Sequence, residues 1–350
     1  MKTKLVKMNQ ISQSREDLKE AAELIREGQI VAFPTETVYG LGGSGLMEDA
    51  IHRIYEAKGR PSDNPLILHV CDIAMAESLV KEIPENARKA MEYFWPGPLT
   101  VILPKKDIVP LCVTGGLDSV AIRMPDHKAA LQLIQEAGVP IAAPSANTSG
   151  RPSPTKACHV KEDLDGKIPM ILDGGDVRVG VESTIVDFTG DVPIILRPGR
   201  ITREDLEQTL GCEVLMNTSD SGQENGVPRA PGMKYKHYAP KANLILVLGK
   251  DQEAVIQKIN ELALEQRTQG KKTGIIGTEE TIERYQADEV VSVGERRNMN
   301  TVTANLYDVL RSFDHKDVDI IYSEGFEGEP LEEAVMNRLI KAAGHEIIRI

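Results

Sequence analysis

The chain is poor in aromatic residues, which make up 4% of its 350 positions. Stacking platforms for single-stranded nucleic acid, which need aromatics along a groove, therefore cover little of its surface. It has four cysteines, Cys71, Cys112, Cys158 and Cys212, and none form a C-x-x-C pair. That spacing argues against a zinc site, and a chain of this length buries a core without disulfide staples. No metal ligand set is expected. No apolar run approaches the roughly 20 residues that span a bilayer. The N-terminus MKTKLVKMNQISQSRED is basic but lacks the apolar segment of a secretory signal. A reducing cytoplasm, away from membranes, is the expected compartment. Positive charge is also in deficit: 41 Lys and Arg stand against 53 Asp and Glu, a net charge of −12. A surface that grips nucleic acid all over is excluded, whereas a local cationic cleft is not.

What is present is the balance of a folded protein, with 41% hydrophobic and 27% charged residues. At roughly 150 residues per domain the length implies two domains. The segment from Ser14, SREDLKEAAELIREGQ, has an N-cap serine, early acids, helical apolar spacing and Gly28 at its end. A strand at Ile30–Phe33 follows, then a Thr- and Gly-rich loop, then a helix over Glu48–Ala57. Short strands are predicted at Leu66–Val70, Leu99–Leu103, Val120–Arg123, Pro140–Ala143, Met170–Leu172, Thr184–Asp187 and Ile194–Leu196. Helices are predicted over Glu85–Tyr93, Lys128–Ala137 and Arg203–Thr209. Short strands with irregular connections imply a mixed α/β sheet rather than a regular doubly wound one.

From Met216 to Lys241 the chain turns Ser-, Gly-, Asn- and Pro-rich. One reading is a flexible linker. The other is a segment that touches a ligand, because Arg229, Lys234, Lys236, His237 and Lys241 surround two tyrosines. Beyond Lys241 the rhythm is regular. Strands at Leu244–Leu248, Thr273–Ile276, Glu289–Val293 and Asp319–Tyr322 alternate with helices at Gln252–Arg267, Thr281–Tyr285, Thr301–Ser312 and Leu331–Ala343. Such alternation predicts a smaller Rossmann-like parallel sheet. The expected division is 1–212, a linker over 213–241, and 242–350.

Two motifs mislead. Gly40-Leu-Gly42-Gly-Ser-Gly45 fits G-x-G-x-x-G, yet no clean strand ending in an acid follows its helix. A Gly-rich turn that lets backbone approach another element is the alternative. Gly270-Lys271-Lys272-Thr273 resembles a Walker A ending but lies between a helix and a strand, the wrong order. It reads as a solvated helix end.

Four segments carry chemistry. Pro34-Thr35-Glu36-Thr37-Val38-Tyr39-Gly40-Leu41-Gly42 follows a strand and is either a small-molecule site or a turn capped by threonines. Lys58-Gly-Arg60, followed by Asn64 and His69, pairs a point charge with a planar fork on a polar loop. That suits a polyphosphate, and equally a helix end complementing its dipole. His69 is either a ligand or a satisfied core histidine. Pro144-Ser145-Ala146-Asn147-Thr148-Ser149-Gly150-Arg151-Pro152-Ser153 offers hydroxyls, an amide and backbone N–H groups to a phosphate. Glu182-Ser183-Thr184 and Arg197-Pro-Gly-Arg200 form the fourth. With Arg123, these cations near strand ends would funnel an anion into an acidic protein. No Ser-His-Asp arrangement is present.

Together, PTETVYGLG, KGRPSDNPLILHV, PGPLT, AIRMP, APSANTSGRPSPT, VESTIVD and ILRPG resemble the YrdC-like family across about residues 14 to 210. PGMKYKHYAP and the α/β tail are similar to its two-domain members, which are threonylcarbamoyladenylate synthases. The resemblance implies an N-terminal YrdC-like mixed twisted sheet with helices and a C-terminal Rossmann-like parallel domain. It implies that L-threonine, bicarbonate or CO2, and ATP become threonylcarbamoyl-AMP and pyrophosphate, a nucleotidyl transfer. Thr37, His69, Arg123, the Ala143 backbone and Ser183 would hold threonine. Lys58, Arg60, Asn64, Ser119, Ser145, Asn147, Ser153 and Arg197 would hold ATP, with Tyr235 and His237 reaching it from a lid-like linker. Lys58 and Arg60 would be catalytic, and Mg²⁺ would arrive with ATP. A threonylcarbamoyl-transferase complex would pass the product to adenosine 37 of tRNAs reading codons that begin with A. Weak RNA binding is a secondary expectation.

Overall fold

The computed structural model describes residues 2–8, 15–217, 223–224, 227–231, 237–328 and 330–350. It divides into two compact units. One comprises residues 1–149, 154–178 and 182–234, and the other residues 150–153, 179–181 and 235–350.

The first unit is built on one mixed sheet of eleven strands. These are β1 (Lys4–Lys7), β2 (Val31–Phe33), β3 (Gly40–Ser44), β4 (Ile67–His69), β5 (Leu99–Pro104) and β6 (Ser119–Arg123). They continue as β7 (Ile141–Ala143), β8 (Met170–Asp173), β9 (Thr184–Asp187), β10 (Ile194–Arg197) and β11 (Leu215–Met216). Their spatial order is β1-β8-β2-β3-β7-β4-β6-β5-β9-β10-β11. Parallel pairs such as β4–β6 and β5–β9 mix with antiparallel pairs such as β4–β7 and β5–β6.

Helices cover both faces. In α1 (Arg15–Arg26) the buried Leu18, Ala21, Ala22 and Ile25 follow an i, i+3, i+4, i+7 stripe. Its acids Glu16 and Asp17 lie in the first turn and Arg26 in the last, as the helix dipole favours. It packs with α6 (Lys128–Ala137) against Val31, Phe33 and Ile141. On the other face α2 (Glu48–Lys58) buries Ile51, Ile54 and Tyr55 against Leu41 and Leu68. It stops at Gly59, whose φ of 61° is a left-handed cap that a side chain would strain. Five more helices follow: α3 (Ile73–Leu79), α4 (Glu85–Phe94), α5 (Leu111–Thr114), α7 (Ala157–Leu164) and α8 (Arg203–Leu210). Thr202 and Asp205 close a reciprocal capping box on α8.

The G-x-G-x-x-G segment is not the loop that its composition suggests. Gly40–Ser44 is a fully buried strand between β2 and β7. Glycine is there for packing: a Cβ on Gly42 would lie 2.5 Å from Ile141 Cγ2 and 2.7 Å from Phe33 Cε1. Strand β1 was also invisible to periodicity, because only one of its four residues is buried.

Residues 223–224 and 227–228 pair as a small hairpin, β12 (Gln223–Glu224) and β13 (Val227–Pro228). In the second unit an all-parallel sheet runs β16-β15-β17-β14-β18. Its strands are β14 (Asn243–Leu248), β15 (Thr273–Gly277), β16 (Glu289–Ser292), β17 (Ile320–Glu324) and β18 (Ile347–Arg349). Connecting helices are α9 (Gln252–Thr268), α10 (Met299–Ser312) and α11 (Pro330–Ala342). The expected helix over Thr281–Tyr285 is a single 3-10 turn, Ile282–Arg284. Thr281 is diverted there: its hydroxyl donates to the buried Glu324 at 2.9 Å. Residues 150–153 pack within this unit, where the buried Arg311 donates to the Pro152 carbonyl at 3.0 and 2.6 Å.

Gly42→Ala tests the packing reading of β3. Overfilling the Ile141–Phe33 contact is expected to cost about 1–3 kcal/mol in urea unfolding. An unchanged midpoint would contradict it.

Candidate active site

Register places the site residues. Pairing sets His69, the last residue of β4, beside Arg123, the last of β6, and Arg123 beside Thr100 of β5. Paired positions share a face, so the three side chains stand abreast. Leu99 pairs with Thr184, which brings Ser183 to the same edge, where Thr100 Oγ1 and Ser183 Oγ lie 2.7 Å apart.

Arg123 is 3% exposed. Its Nη1 donates to Thr37 Oγ1 at 2.9 Å and its Nε to the Gly97 carbonyl at 3.3 Å. Nη2 lies 2.7 Å from Glu36 Oε2, an ion pair by distance whose angle is too oblique for a hydrogen bond. The loop reaches Arg123 because Thr35 curls it. Thr35 Oγ1 accepts from the N–H groups of Thr37 and Val38 and donates to the Val38 carbonyl at 2.6 Å. Thr35 is therefore the turn-capping threonine, while Thr37 faces the guanidinium.

His69 is buried against Phe33, edge-on at 5.8 Å. Its Nδ1 lies 3.2 Å from the Ile67 carbonyl. Burial, reinforced by the Arg123 charge, pushes its pKa down to about 3, so the ring is neutral near pH 7. Arg197 ends β10 and grips Ser183: Nε and Nη2 donate to its carbonyl at 3.1 and 3.0 Å, and Nη2 to its hydroxyl at 3.1 Å.

A second group forms where the loop after β7 meets the end of α2. Lys58, the last residue of α2, is 2% exposed and donates to the carbonyls of Ser145 and Asn147. It is thus not on a polar loop, as its sequence context suggests, but a buried rivet. Ser145 Oγ donates to Asn147 Oδ1 at 2.5 Å, and Ala146 N–H to the Tyr39 carbonyl at 2.8 Å. Arg60 Nη2 donates to the Pro65 carbonyl at 3.2 Å. Asn64 is 1% exposed, and neither its amide oxygen nor its nitrogen has a hydrogen-bond partner among the described residues. Ser119 opens β6, four residues from Arg123, roughly 13 Å along the strand at ~3.3 Å per residue. Ala143 ends β7 opposite Ile67, whose β6 partner Ala121 lies midway between Ser119 and Arg123.

Arg123 and Arg197 end β6 and β10, and Lys58 is tied to the loop beyond Ala143. The loop after β2 touches both, through Thr37 to Arg123 and through the Tyr39 carbonyl to Ala146. Ile67, Ile102, Ala121, Ile185 and Leu196 cluster with Ala230 of the linker. That linker is also held by charge. Arg229 pairs with the buried Asp187, and Arg197 Nη1 donates to the Pro231 carbonyl at 3.3 Å. Ser153 and His237, both buried, belong to the second unit. Tyr235 lies outside the described residues. Sequence reasoning passed over Glu36 and Thr100. Both sit inside motifs that it singled out, and a threonine in the apolar strand LTVIL was the available signal.

Such a site defines a class: an α/β protein whose polar site is built on buried cations. Comparison narrows the class. A family model of the Sua5, YciO and YrdC proteins, described as telomere recombination, matches residues 23–199. The model of the threonylcarbamoyl-AMP synthase C-terminal domain matches residues 201–344. The chain is 51% identical to a threonylcarbamoyl-AMP synthase of Pyrococcus abyssi over 330 residues, covering 94% of this chain and 95% of the relative. It is 51% identical to that of Bacillus subtilis over 343 residues, covering 97% of each. The crystal structure of P. abyssi Sua5 complexed with L-threonine superposes with a TM-score of 0.92 at 48% identity, over 100% of both chains. The chain belongs to the Sua5/YrdC family and carries the C-terminal domain of its two-domain members.

The buried neutral His69 makes a pH prediction. Its folded pKa lies below the unfolded value, so acid protonates the unfolded state first. The stability contributed by burying the neutral ring is complete above about pH 6.5 and is lost as pH falls toward about 3. Between pH 7.5 and 5 this component should fall by about 2 kcal/mol. Urea unfolding of wild type against His69→Gln should show their difference shrinking by that amount, and a constant difference would contradict the burial argument.

Proposed function

We propose that this chain is a threonylcarbamoyl-AMP synthase, a nucleotidyltransferase that converts L-threonine, bicarbonate or CO2, and MgATP to threonylcarbamoyl-AMP and pyrophosphate. The observation that carries the reading is 51% identity to curated synthases over nearly the whole chain. The geometry supports it. Arg123, Thr37 and Ser183 form a polar set suited to a hydroxylated amino acid, with the guanidinium for its carboxylate. Lys58, Arg60, Asn64, Ser145 and Asn147 provide the nucleotide side, joined by Ser119. Mg²⁺ is part of the substrate and rides on the triphosphate. Arg197, through Ser183, sits on the amino-acid side and would meet ATP only where the two substrates adjoin. Ser153, His237 and Tyr235 are assigned to ATP by family resemblance alone, as is the contact of the Ala143 backbone with threonine.

The chemistry needs no covalent enzyme intermediate. The threonine amine takes up CO2 as a carbamate. A carbamate oxygen then attacks the α-phosphorus of ATP, and pyrophosphate leaves. What the protein supplies is position and preorganised charge, worth several kcal/mol at the transition state. The strap of Arg229, Ala230 and Pro231 packs through Ala230 on the apolar cluster, where it would keep water from the labile mixed anhydride. The product is consumed by a threonylcarbamoyl-transferase complex that modifies adenosine 37 of tRNA. The cytoplasm is the compartment where these substrates and tRNA meet. No described helix is long and apolar enough to cross a membrane.

Amino-acid-dependent pyrophosphate release tests the reading, run with and without bicarbonate in degassed buffer. Threonine should be preferred, serine poor but detectable, and valine inactive, because a site built to bond a hydroxyl rejects an analogue lacking it. Bicarbonate should be required with threonine. Equal rates with valine would contradict the hydroxyl-reading pocket.

A further inference from the structure

One buried carboxylate is left over from the contacts assigned above. Glu36 is 2% exposed, and neither of its oxygens accepts a hydrogen bond from the described residues. Its ion pair within that set is with Arg123, off-axis at 2.7 Å. An ionised carboxylate removed from water is costly unless donors surround it. One oblique contact leaves most of its lone pairs unfilled. Whatever completes this group must bring N–H donors and positive charge.

The surroundings say which ligand that is. Arg123 and Glu36 form an ion pair beside the neutral His69, with the Arg197 cation on the far side of Ser183 and His127, its pKa lowered by burial, within reach of the Glu36 charge. Thr37, next in the chain, accepts from the same guanidinium. In an extended strand residues 36 and 37 would face opposite ways, but the turn closed by Thr35 Oγ1 brings both onto Arg123. A buried plus–minus pair is complementary to a zwitterion. A free α-amino acid sets its carboxylate on the arginine and its ammonium on the glutamate, so that each of its charges meets its opposite. A hydroxy acid leaves the glutamate unfilled and adds a second anion beside it.

We propose that Glu36 is the receptor for the α-ammonium of the amino-acid substrate and the residue that makes the site select an amino acid over the corresponding hydroxy acid. This rests on the functional reading above and extends it by assigning the amine a partner.

The test is calorimetric titration of the full-length protein, without ATP, with L-threonine and with 3-hydroxybutyrate, which is threonine lacking its amine. Wild type should prefer threonine by about 30-fold or more, the effect of leaving one buried charge unpaired. Glu36→Gln should bring the two affinities within about threefold of each other, because threonine loses its ammonium partner and 3-hydroxybutyrate no longer meets an anion. A role confined to holding Arg123 would weaken both ligands alike and keep their ratio. A folded Glu36→Gln protein with the wild-type ratio therefore overturns the proposal. If that variant does not fold, Glu36→Asp decides: its displaced carboxylate should weaken threonine alone, and equal losses for both ligands overturn the proposal. Wild-type protein that binds no threonine overturns the functional reading, and the proposal falls with it. Pyrophosphate release by wild type with threonine, alongside an unchanged ratio in Glu36→Gln, leaves the function standing and removes only the role of Glu36.

Discussion

A cation taken out of water must be given acceptors, and in the N-terminal unit three buried cations dictate how the loops run. Lys58 draws the Ser145 and Asn147 carbonyls onto the end of α2. Arg123 gathers Thr37, the Gly97 carbonyl and Glu36. Arg197 takes Ser183 and the Pro231 carbonyl. Leaving any of these charges uncompensated would cost several kcal/mol. The loops are therefore tied to the ends of the short strands by these charges.

Preorganisation of this kind suits a reaction with no enzyme nucleophile. The polar groups that satisfy the cations are the same groups that would exchange for substrate carboxylate and phosphate oxygens. Thr37 and Ser183 each bond an arginine in the free site. On the proposed function, substrate binding would replace one set of acceptors by another, with little new ordering to be done. The linker takes part in the same scheme, through an ion pair, a buried alanine and a carbonyl within three consecutive residues.

Much of this was legible in the sequence, and what was missed has physical causes. Helix Lys128–Ala137 and strand Thr184–Asp187 follow from apolar spacing alone. Strand Gly40–Ser44 does not, because Gly42 answers to Phe33 and Ile141, side chains that only the strand pairing brings onto it. Lys58 reads as a solvated helix-end cation until α2 is packed on the loop after β7. The grip of Lys58 on the loop after β7 depends on how α2 packs, which composition cannot show. Glu36 lay in plain view within PTETV, but an acid there gains meaning only once Arg123 is seen beside it.

The central claim is that the positioned carbamate itself attacks phosphorus. Oxygen labelling tests it most directly. The protein is given threonine, MgATP and ¹⁸O-bicarbonate, the carbamoyl group is trapped with hydroxylamine, and the AMP released is weighed by mass spectrometry. Attack by the carbamate leaves one bicarbonate oxygen as the bridge to phosphorus, so AMP should carry a single ¹⁸O. Unlabelled AMP would show that another oxygen, such as the threonine carboxylate, had been adenylated, and the account would be wrong.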